Sequence, residues 1–321
     1  MTKPAAVTWL MPVRNGMPYL SLTLESIAKQ SYQNHKMLVW DNGSKDGTLE
    51  ELRRWIPARI PGAVVSGKPM GVGASRAALL DMAESELCAW TDADDVSYPE
   101  RLEVQVPFLL GHPELAALGT QVDIIDEHGV RRGQWTYKTD DAEARWLTRW
   151  HAQLCQSAVL CRRSALLAAG NYRDVRDEDL DLWMRLAAVG EIRNLPETLV
   201  QYRRTQTSTT GKIEDFYTSD RAVAARNAAI LFPTIGDPHR AMELWEAAHP
   251  RQPEATSRVQ HIWQLKRAAT LLAKALGKPA GYFVNTQAFR DQLYALKTRA
   301  YRRFGLAPLV ALKARVMHAG S

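Results

Sequence analysis

The sequence predicts an α/β fold: a three-layer sandwich around a mostly parallel sheet, with a helical extension at the C-terminal end. Three observations predict it. Short apolar runs alternate with stretches of helical spacing through the first half of the chain. Those runs are apolar at consecutive positions, as buried strands are. After about residue 214 the pattern turns almost wholly helical.

Val7-Thr8-Trp9-Leu10-Met11 reads as a first buried strand, ended by Pro12. Leu20, Leu24, Ile27 and Ala28 recur at helical spacing. Met37-Leu38-Val39-Trp40 is a second strand, followed by the turn Asp41-Asn42-Gly43-Ser44. Asp46 or Thr48 stands where it would cap a helix carrying Leu49 and Leu52. Val64-Val65 marks a third strand and residues 74–83 a helix. Leu87-Cys88-Ala89-Trp90 is a fourth strand, stopping at Thr91-Asp92. Strands alternating with helices pair in parallel and are covered on both faces. Leu115–Ile125, the turn Glu127-His128-Gly129 and residues 131–137 then predict an antiparallel hairpin. Mixed segments follow to Arg204, and a domain boundary is expected between residues 1–213 and 214–321.

The 321 residues fit one large or two ordinary domains. With 46% hydrophobic and 24% charged residues the chain has a normal globular composition, which excludes wholesale disorder. Cys88, Cys155 and Cys161 form no CxxC pair, and their odd number argues against a disulfide framework. No signal-like or membrane-spanning apolar stretch is apparent, so the expected location is cytoplasmic. The net charge of +6 is uneven. Residues 251–321 hold 13 Lys and Arg against two acids, Glu254 and Asp291, leaving 28 basic and 33 acidic residues in the rest. A basic tail meets nucleic acid, anionic lipid or an acidic partner, or is a solvated helical face.

Polar groups cluster where the predicted strands end, the edge at which open parallel sheets bind ligands. The ends are Pro12-Val13-Arg14-Asn15-Gly16, Asp41-Asn42-Gly43-Ser44, Ser66-Gly67-Lys68 and Thr91-Asp92-Ala93-Asp94-Asp95. Each alone is an ordinary turn; together they mark a site. Three carboxylates in Asp92-Ala93-Asp94-Asp95 repel one another unless a cation or hydrogen-bond donors offset them. Their hard oxygens suit Mg²⁺ or Mn²⁺, shared with substrate phosphates. The alternative is an acidic helix start favoured by the dipole. The chain has neither a P-loop nor GxGxxG, so phosphates would need a metal plus a cation, for which Arg76 is the candidate. Glu178-Asp179 opens a helical pattern with Leu182, Leu186 and Val189, and reads as a catalytic pair or as a first-turn acidic cap.

Taken in order, these motifs resemble the family 2 glycosyltransferases of the GT-A fold over residues 7–208. Residues 7–16 resemble the first strand and P-(T/V)-Y-N segment, with Arg14 where Tyr is common. Asp41-Asn42-Gly43-Ser44-Lys45-Asp46-Gly47-Thr48 resembles D-D-G-S-x-D-G-T, with Asn42 for the second Asp. Residues 71–76 resemble G-x-x-x-A-R, with Ala77 where Asn is usual. Asp92-Ala93-Asp94-Asp95 is similar to the D-x-D metal motif. Glu178-Asp179-Leu180-Asp181-Leu182-Trp183-Met184-Arg185-Leu186 resembles E-D-x-D-L-W-x-R-L. Tyr202-Arg203 resembles the start of Y-R-x-H-x-x-S, with Thr205 in place of His, and Gln156 stands where many members carry His.

The resemblance implies an inverting, metal-dependent transferase with a nucleotide-sugar donor, UDP- or GDP-linked, and a glycan or lipid-linked acceptor in cell-surface polysaccharide or glycolipid synthesis. It implies that Pro12, Val13 and Asp41 hold the nucleobase, that Asn15 is among the nucleotide-binding residues, that Arg76 approaches base or diphosphate, and that Asp92 contacts the ribose. Asp94 would ligate Mn²⁺ or Mg²⁺, and Asp179, with Glu178 second, would be the base. A nucleotidyltransferase and a catalytically inactive nucleotide-binding relative are the rival readings. In residues 290–315, Arg290, Lys297, Arg299, Arg302, Arg303, Lys313 and Arg315 interleave with Leu293, Leu296, Tyr301, Phe304, Leu306, Leu309, Val310 and Leu312. Pro308 splits the run. Such a pattern suits an interfacial helix on an anionic bilayer, or a helix packed on the body with its cations in water. No nucleic-acid motif accompanies the charge.

Overall fold

The structure, a computed structural model, describes residues 6–205, 216–249 and 259–302. These form two compact units: residues 6–144 with 152–205, and residues 145–151 with the described residues from 216 on.

The first unit opens as strand and helix in alternation: β1 (Val7–Val13), α1 (Leu20–Ala28), β2 (His35–Asp41), α2 (Thr48–Trp55), β3 (Gly62–Ser66), α3 (Val72–Met82) and β4 (Leu87–Trp90). Then come β5 (Val96–Ser97), α4 (Arg101–Gly111), β6 (Leu115–Ile125), β7 (Arg131–Trp135), α5 (Asp141–Leu147), β8 (Leu160–Arg162), α6 (Arg163–Ala168), α7 (Glu178–Val189) and β9 (Glu191–Arg203). One sheet runs β3-β2-β1-β4-β8-β6-β9-β5, with β7 paired to β6.

The first four strands are parallel, with β1 between β2 and β4. Beyond β4 the sheet is mixed rather than mostly parallel. β8 is antiparallel to β4 and β6, β7 to β6, and β5 to β9, while β6 and β9 are parallel. Direction is set by how far the chain travels between strands, and the apolar pattern of a strand carries no record of it. The hairpin of β6 and β7 forms as expected.

Both faces of the sheet are covered, which explains the unbroken apolar runs. Val7, Trp9, Met11 and Val13 of β1 pack with Leu20, Leu24 and Ile27 of α1, Leu52 of α2 and Leu102, Val106 and Leu109 of α4. Leu10, Cys88 and Trp90 point the other way, to Leu79 and Leu80 of α3, Leu166 of α6 and Leu182, Trp183 and Leu186 of α7. This is the three-layer arrangement.

Three local expectations change. Pro12 lies inside β1, opposite Trp40, where β4 has already stopped opposite Leu10. A residue without an N–H is tolerated where one flank of a strand is unpaired. The cap of α2 is Gly47, at φ 87°, a conformation cheap only for glycine. Asp46 acts from one residue earlier, accepting from Thr48 N at 3.2 Å and Thr48 Oγ1 at 2.6 Å. Ala188 and Val189 are exposed, and α7 up to Ala187 is buried nearly all round, with Asp181 and Arg185 paired inside at 2.8 Å.

The second unit contains α8 (Phe216–Arg226), α9 (Ala228–Leu231), α10 (Pro238–Ala248), α11 (Val259–Ala275) and α12 (Gln287–Arg302). Its core is aromatic: Trp146 packs with Trp150, Phe232, Phe283 and Phe289. Asp237 caps α10, accepting from His239 N and Arg240 N. Leu293 and Leu296 of the predicted interfacial segment are buried inside this unit, whereas Arg290 and Tyr294 are exposed. Arg303, Phe304, Leu306, Pro308, Leu309, Val310, Leu312, Lys313 and Arg315 lie outside the described residues, as do Ser208 and residue 214. Among the described residues no helix is long and apolar enough to cross a membrane.

Candidate active site

The carboxyl ends of β1 to β4 share one edge of the sheet, and the polar turns predicted there meet. Asp41 is buried; its carboxylate accepts from Ser44 N at 3.2 Å and from the Ser66 hydroxyl at 2.9 Å. Asn42 clasps the backbone of Met70, donating to its O and accepting from its N, both at 2.8 Å. A carboxylate has no donor for that clasp, which explains the amide at this position. Asn15 sits at φ 55°, takes its own N–H to Ser44 Oγ and accepts from Lys45 N, both at 2.9 Å. Pro12 is half-buried and Val13 buried. Gly16 lets this loop abut the acidic turn: a Cβ there would stand 3.3 Å from Ala93 Cβ and 2.8 Å from Val13 Cγ2.

In the acidic turn, Asp92 and Asp94 are half-buried and Asp95 is buried. Asp95 is structural. Its carboxylate accepts from Arg203 N at 2.7 Å and its carbonyl from the Thr23 hydroxyl at 2.8 Å. Burial, with Asp94 and Asp92 adding, raises its pKa well above the usual carboxylate range. Asp94 is pushed up to about 6 by burial and by Asp92, against a smaller pull from Arg203. The Arg203 guanidinium does not pair with these carboxylates. It donates to Asp94 O at 2.9 Å and Asp126 O at 2.8 Å and lies 4.4 Å from the Tyr19 ring centre.

Arg76 joins the acidic turn to α7. Its Nη2 donates to Asp92 Oδ1 and its Nε to Glu178 Oε1, each at 3.1 Å. Burial works against its charge, but Asp92 and Glu178 outweigh it and keep the guanidinium protonated. Nη1 is buried with no hydrogen-bond partner among the described residues. Glu178 is pushed up to about 7 by burial, Asp179 adding to the rise and Arg76 opposing it. Burial also raises Asp179, which is half-buried and accepts from Leu180 N at 2.7 Å.

The loop before α7 is wedged on the start of α3. A Cβ on Gly73 would come within 2.0 Å of Arg173 O, and one on Gly71 within 1.7 Å of Asp174 Oδ1. The two glycines therefore allow the approach that brings Glu178 to Arg76. Gln156, where histidine was the common residue, exchanges hydrogen bonds with the Tyr172 hydroxyl at 3.0 and 3.2 Å.

Asp92, Arg76 and Glu178 are thus in direct contact, with Asp94 and Asp179 beside them, while Pro12, Val13, Asn15 and Asp41 line the adjoining strand ends. Among the described residues no group of three or more His, Cys, Asp or Glu is arranged to hold a metal alone. Sequence reasoning assigned no role to Arg203, whose only signal was the Tyr202-Arg203 pair. It missed Arg101 entirely. That side chain is fully buried and donates to Trp90 O, Val159 O, Ser157 O, Ser97 Oγ and Gln105 Oε1, stitching the end of β4 to residues 157–159. Burial pushes its pKa down to about 9.

The sequence pattern of glycosyl transferase family 2 matches residues 8–168. The chain belongs to glycosyl transferase family 2. The amylovoran biosynthesis glycosyltransferase AmsE of Erwinia amylovora is 28% identical over 187 residues, 57% of this chain and 70% of that protein. The fold matches S. aureus TarS 1-349 in complex with UDP-GlcNAc at TM-score 0.57 and 17% identity, over 94% of this chain and 92% of that one. It also matches the mannosyltransferase PcManGT of Pyrobaculum calidifontis, solved with GDP-Man and Mn²⁺, at TM-score 0.53 and 19% identity over 93% and 88%. The described domain is accordingly a GT-A-like fold with a mixed sheet and a helical C-terminal region. Gly71, Gly73 and the acidic pair Glu178-Asp179 serve one local purpose here, the seating of α7 against Arg76.

Proposed function

We propose that this family 2 glycosyltransferase moves a sugar, with inversion, from a UDP- or GDP-linked donor to a hydroxyl of a glycan or lipid-linked acceptor in cell-surface polysaccharide or glycolipid synthesis. One observation carries the reading: Arg76 bridges Asp92 of the acidic turn and Glu178 of the α7 pair, at the edge where parallel sheets take ligands. AmsE's role in amylovoran biosynthesis and the nucleotide sugars bound to TarS and PcManGT support it.

Pro12, Val13, Asn15 and Asp41 shape the nucleobase side, Asp92 faces the ribose, and Arg76 supplies positive charge toward the diphosphate, its Nη1 having no hydrogen-bond partner among the described residues. Asp94 would hold Mn²⁺ or Mg²⁺. The fit rests on Asp94 being raised by burial and by Asp92 while the adjacent cation, Arg203, is engaged with carbonyls. Such ions accept one or two carboxylates when substrate phosphates complete the coordination. When bound, the ion neutralises charge on the departing diphosphate. Asp179 takes the proton of the acceptor hydroxyl as the new C–O bond forms and the bond to the diphosphate oxygen breaks. A single displacement at the anomeric carbon inverts its configuration.

The protein would work in the cytoplasm, peripherally at the inner face of the membrane. The charge on α11 supports this: Trp263 is 61% exposed, Lys266, Arg267 and Lys274 are exposed, and the helix carries no acidic residue. Thermal shift against UDP and GDP, each with Mn²⁺ or chelator, tests the donor site. Stabilisation should require metal and disappear in Asp94→Asn. Equal stabilisation in chelator would remove the metal from the account.

A further inference from the structure

Most tryptophans of the first unit are sealed in its core; Trp9, Trp90 and Trp183 have no exposed surface. Trp135 is half-buried, and so is Tyr202 beside it, their ring centres 4.9 Å apart and tilted by 39°. Trp135 ends β7 opposite Val122 of β6, and Tyr202 lies in β9 opposite Ile124. Both rings rest on Val122, Val200, Cys155 and Ala158, with Tyr137 in the same cluster. The pair is thereby seated on a buried base, and both side chains keep part of their surface exposed.

The pair adjoins the chemistry. Tyr202 is followed by Arg203, whose backbone N–H holds Asp95 and whose side chain holds the Asp94 carbonyl. The Tyr137 hydroxyl, raised above its ordinary value chiefly by burial, also feels the Asp179 carboxylate. A pyranose has a rim of hydroxyls and a face of C–H groups. A rigid aromatic pair covers such a face at small entropic cost and leaves the rim free for a base.

We propose that Trp135 and Tyr202 form the acceptor subsite, a stacking platform for a pyranose whose hydroxyl is offered to Asp179. This rests on the transferase reading above. Saturation-transfer NMR with the methyl glycosides of glucose, galactose and N-acetylglucosamine tests it. At least one glycoside should receive saturation on its C–H face from the wild-type protein. Trp135→Ala should weaken that binding by about tenfold, and Trp135→Phe should retain most of it. Tyr202→Leu, which keeps apolar bulk under the site, should show the same loss as Trp135→Ala. Thermal shift with UDP or GDP in Mn²⁺ reports the donor site separately and should match wild type in Trp135→Ala. No saturation of any glycoside by the wild type, or equal saturation by Trp135→Ala and Tyr202→Leu, would overturn the platform. Failure of the wild type to bind either nucleotide would instead strike the transferase reading.

Discussion

Replacing Arg76 with Met removes the cation that bridges Asp92 and Glu178. Arg76 and Glu178 are nearly inaccessible, so the variant leaves a buried carboxylate unpaired. Breaking a buried pair from one side costs about 3–5 kcal/mol when the remaining group stays charged. Glu178 has an escape, because burial already pushes its carboxyl up to about 7 with Arg76 present, and losing Arg76 raises it further. Its folded-state pKa lies above its unfolded value near 4.5. The stability this contributes is complete below that unfolded value and is lost as pH rises through the folded one. In Arg76→Met the same loss moves to higher pH. At pH 5.5 Glu178 of the variant is protonated, and the deficit shrinks to that of lost hydrogen bonds, about 1–3 kcal/mol. At pH 8 it approaches the full 3–5 kcal/mol. Urea unfolding of both proteins at pH 5.5 and 8 measures the difference. Adding Glu178→Gln to the variant should recover most of the pH 8 deficit. A deficit equal at both pH values, with no recovery in the double variant, would refute the argument.

Gly73→Ala should lower turnover at least about tenfold, because its Cβ would lie 2.0 Å from Arg173 O in the loop that seats Glu178 and Asp179. Gly111→Ala, with nothing within 4 Å of the added carbon, should instead raise stability by about 0.5–1 kcal/mol in the same urea assay. Burial raises Asp179, so the acid limb of the turnover profile should lie above the ordinary aspartate range, with turnover falling as pH drops and Asp179 takes up a proton. A limb at the ordinary value would contradict that. Lys266→Glu with Arg267→Glu, both exposed on α11, should reduce co-sedimentation with anionic liposomes, and salt should weaken the binding of the unaltered chain; equal binding to neutral vesicles would contradict the membrane proposal.

The parallel half of the sheet was legible because β1, β2 and β4 carry apolar runs that few structures other than a doubly covered strand require. The mixed half was not. β5 has two residues and β8 three, too short for any periodicity to register, and each owes its place to partners far along the chain. The acidic members of the site were legible because Asp92, Asp94, Glu178 and Asp179 stand where a strand ends or a helix begins. The basic residues that organise them were not. Arg203 reaches Asp94 across 109 residues of sequence, and Arg101 reaches Val159 across 58. Both contact backbone carbonyls, which every residue has, so no pattern of residue types marks the pairing. Gln156 shows a further limit: its amide is occupied by Tyr172, a contact no motif position announces.

The central claim is that the edge holding Asp94 and Asp179 transfers a sugar with Asp179 as base. Steady-state transfer from UDP- and GDP-sugars by Asp179→Asn against wild type tests it most directly. The account predicts kcat lower by about 10²–10⁴ with donor KM unchanged. Near-normal kcat in Asp179→Asn, or a loss confined to donor KM, would contradict it.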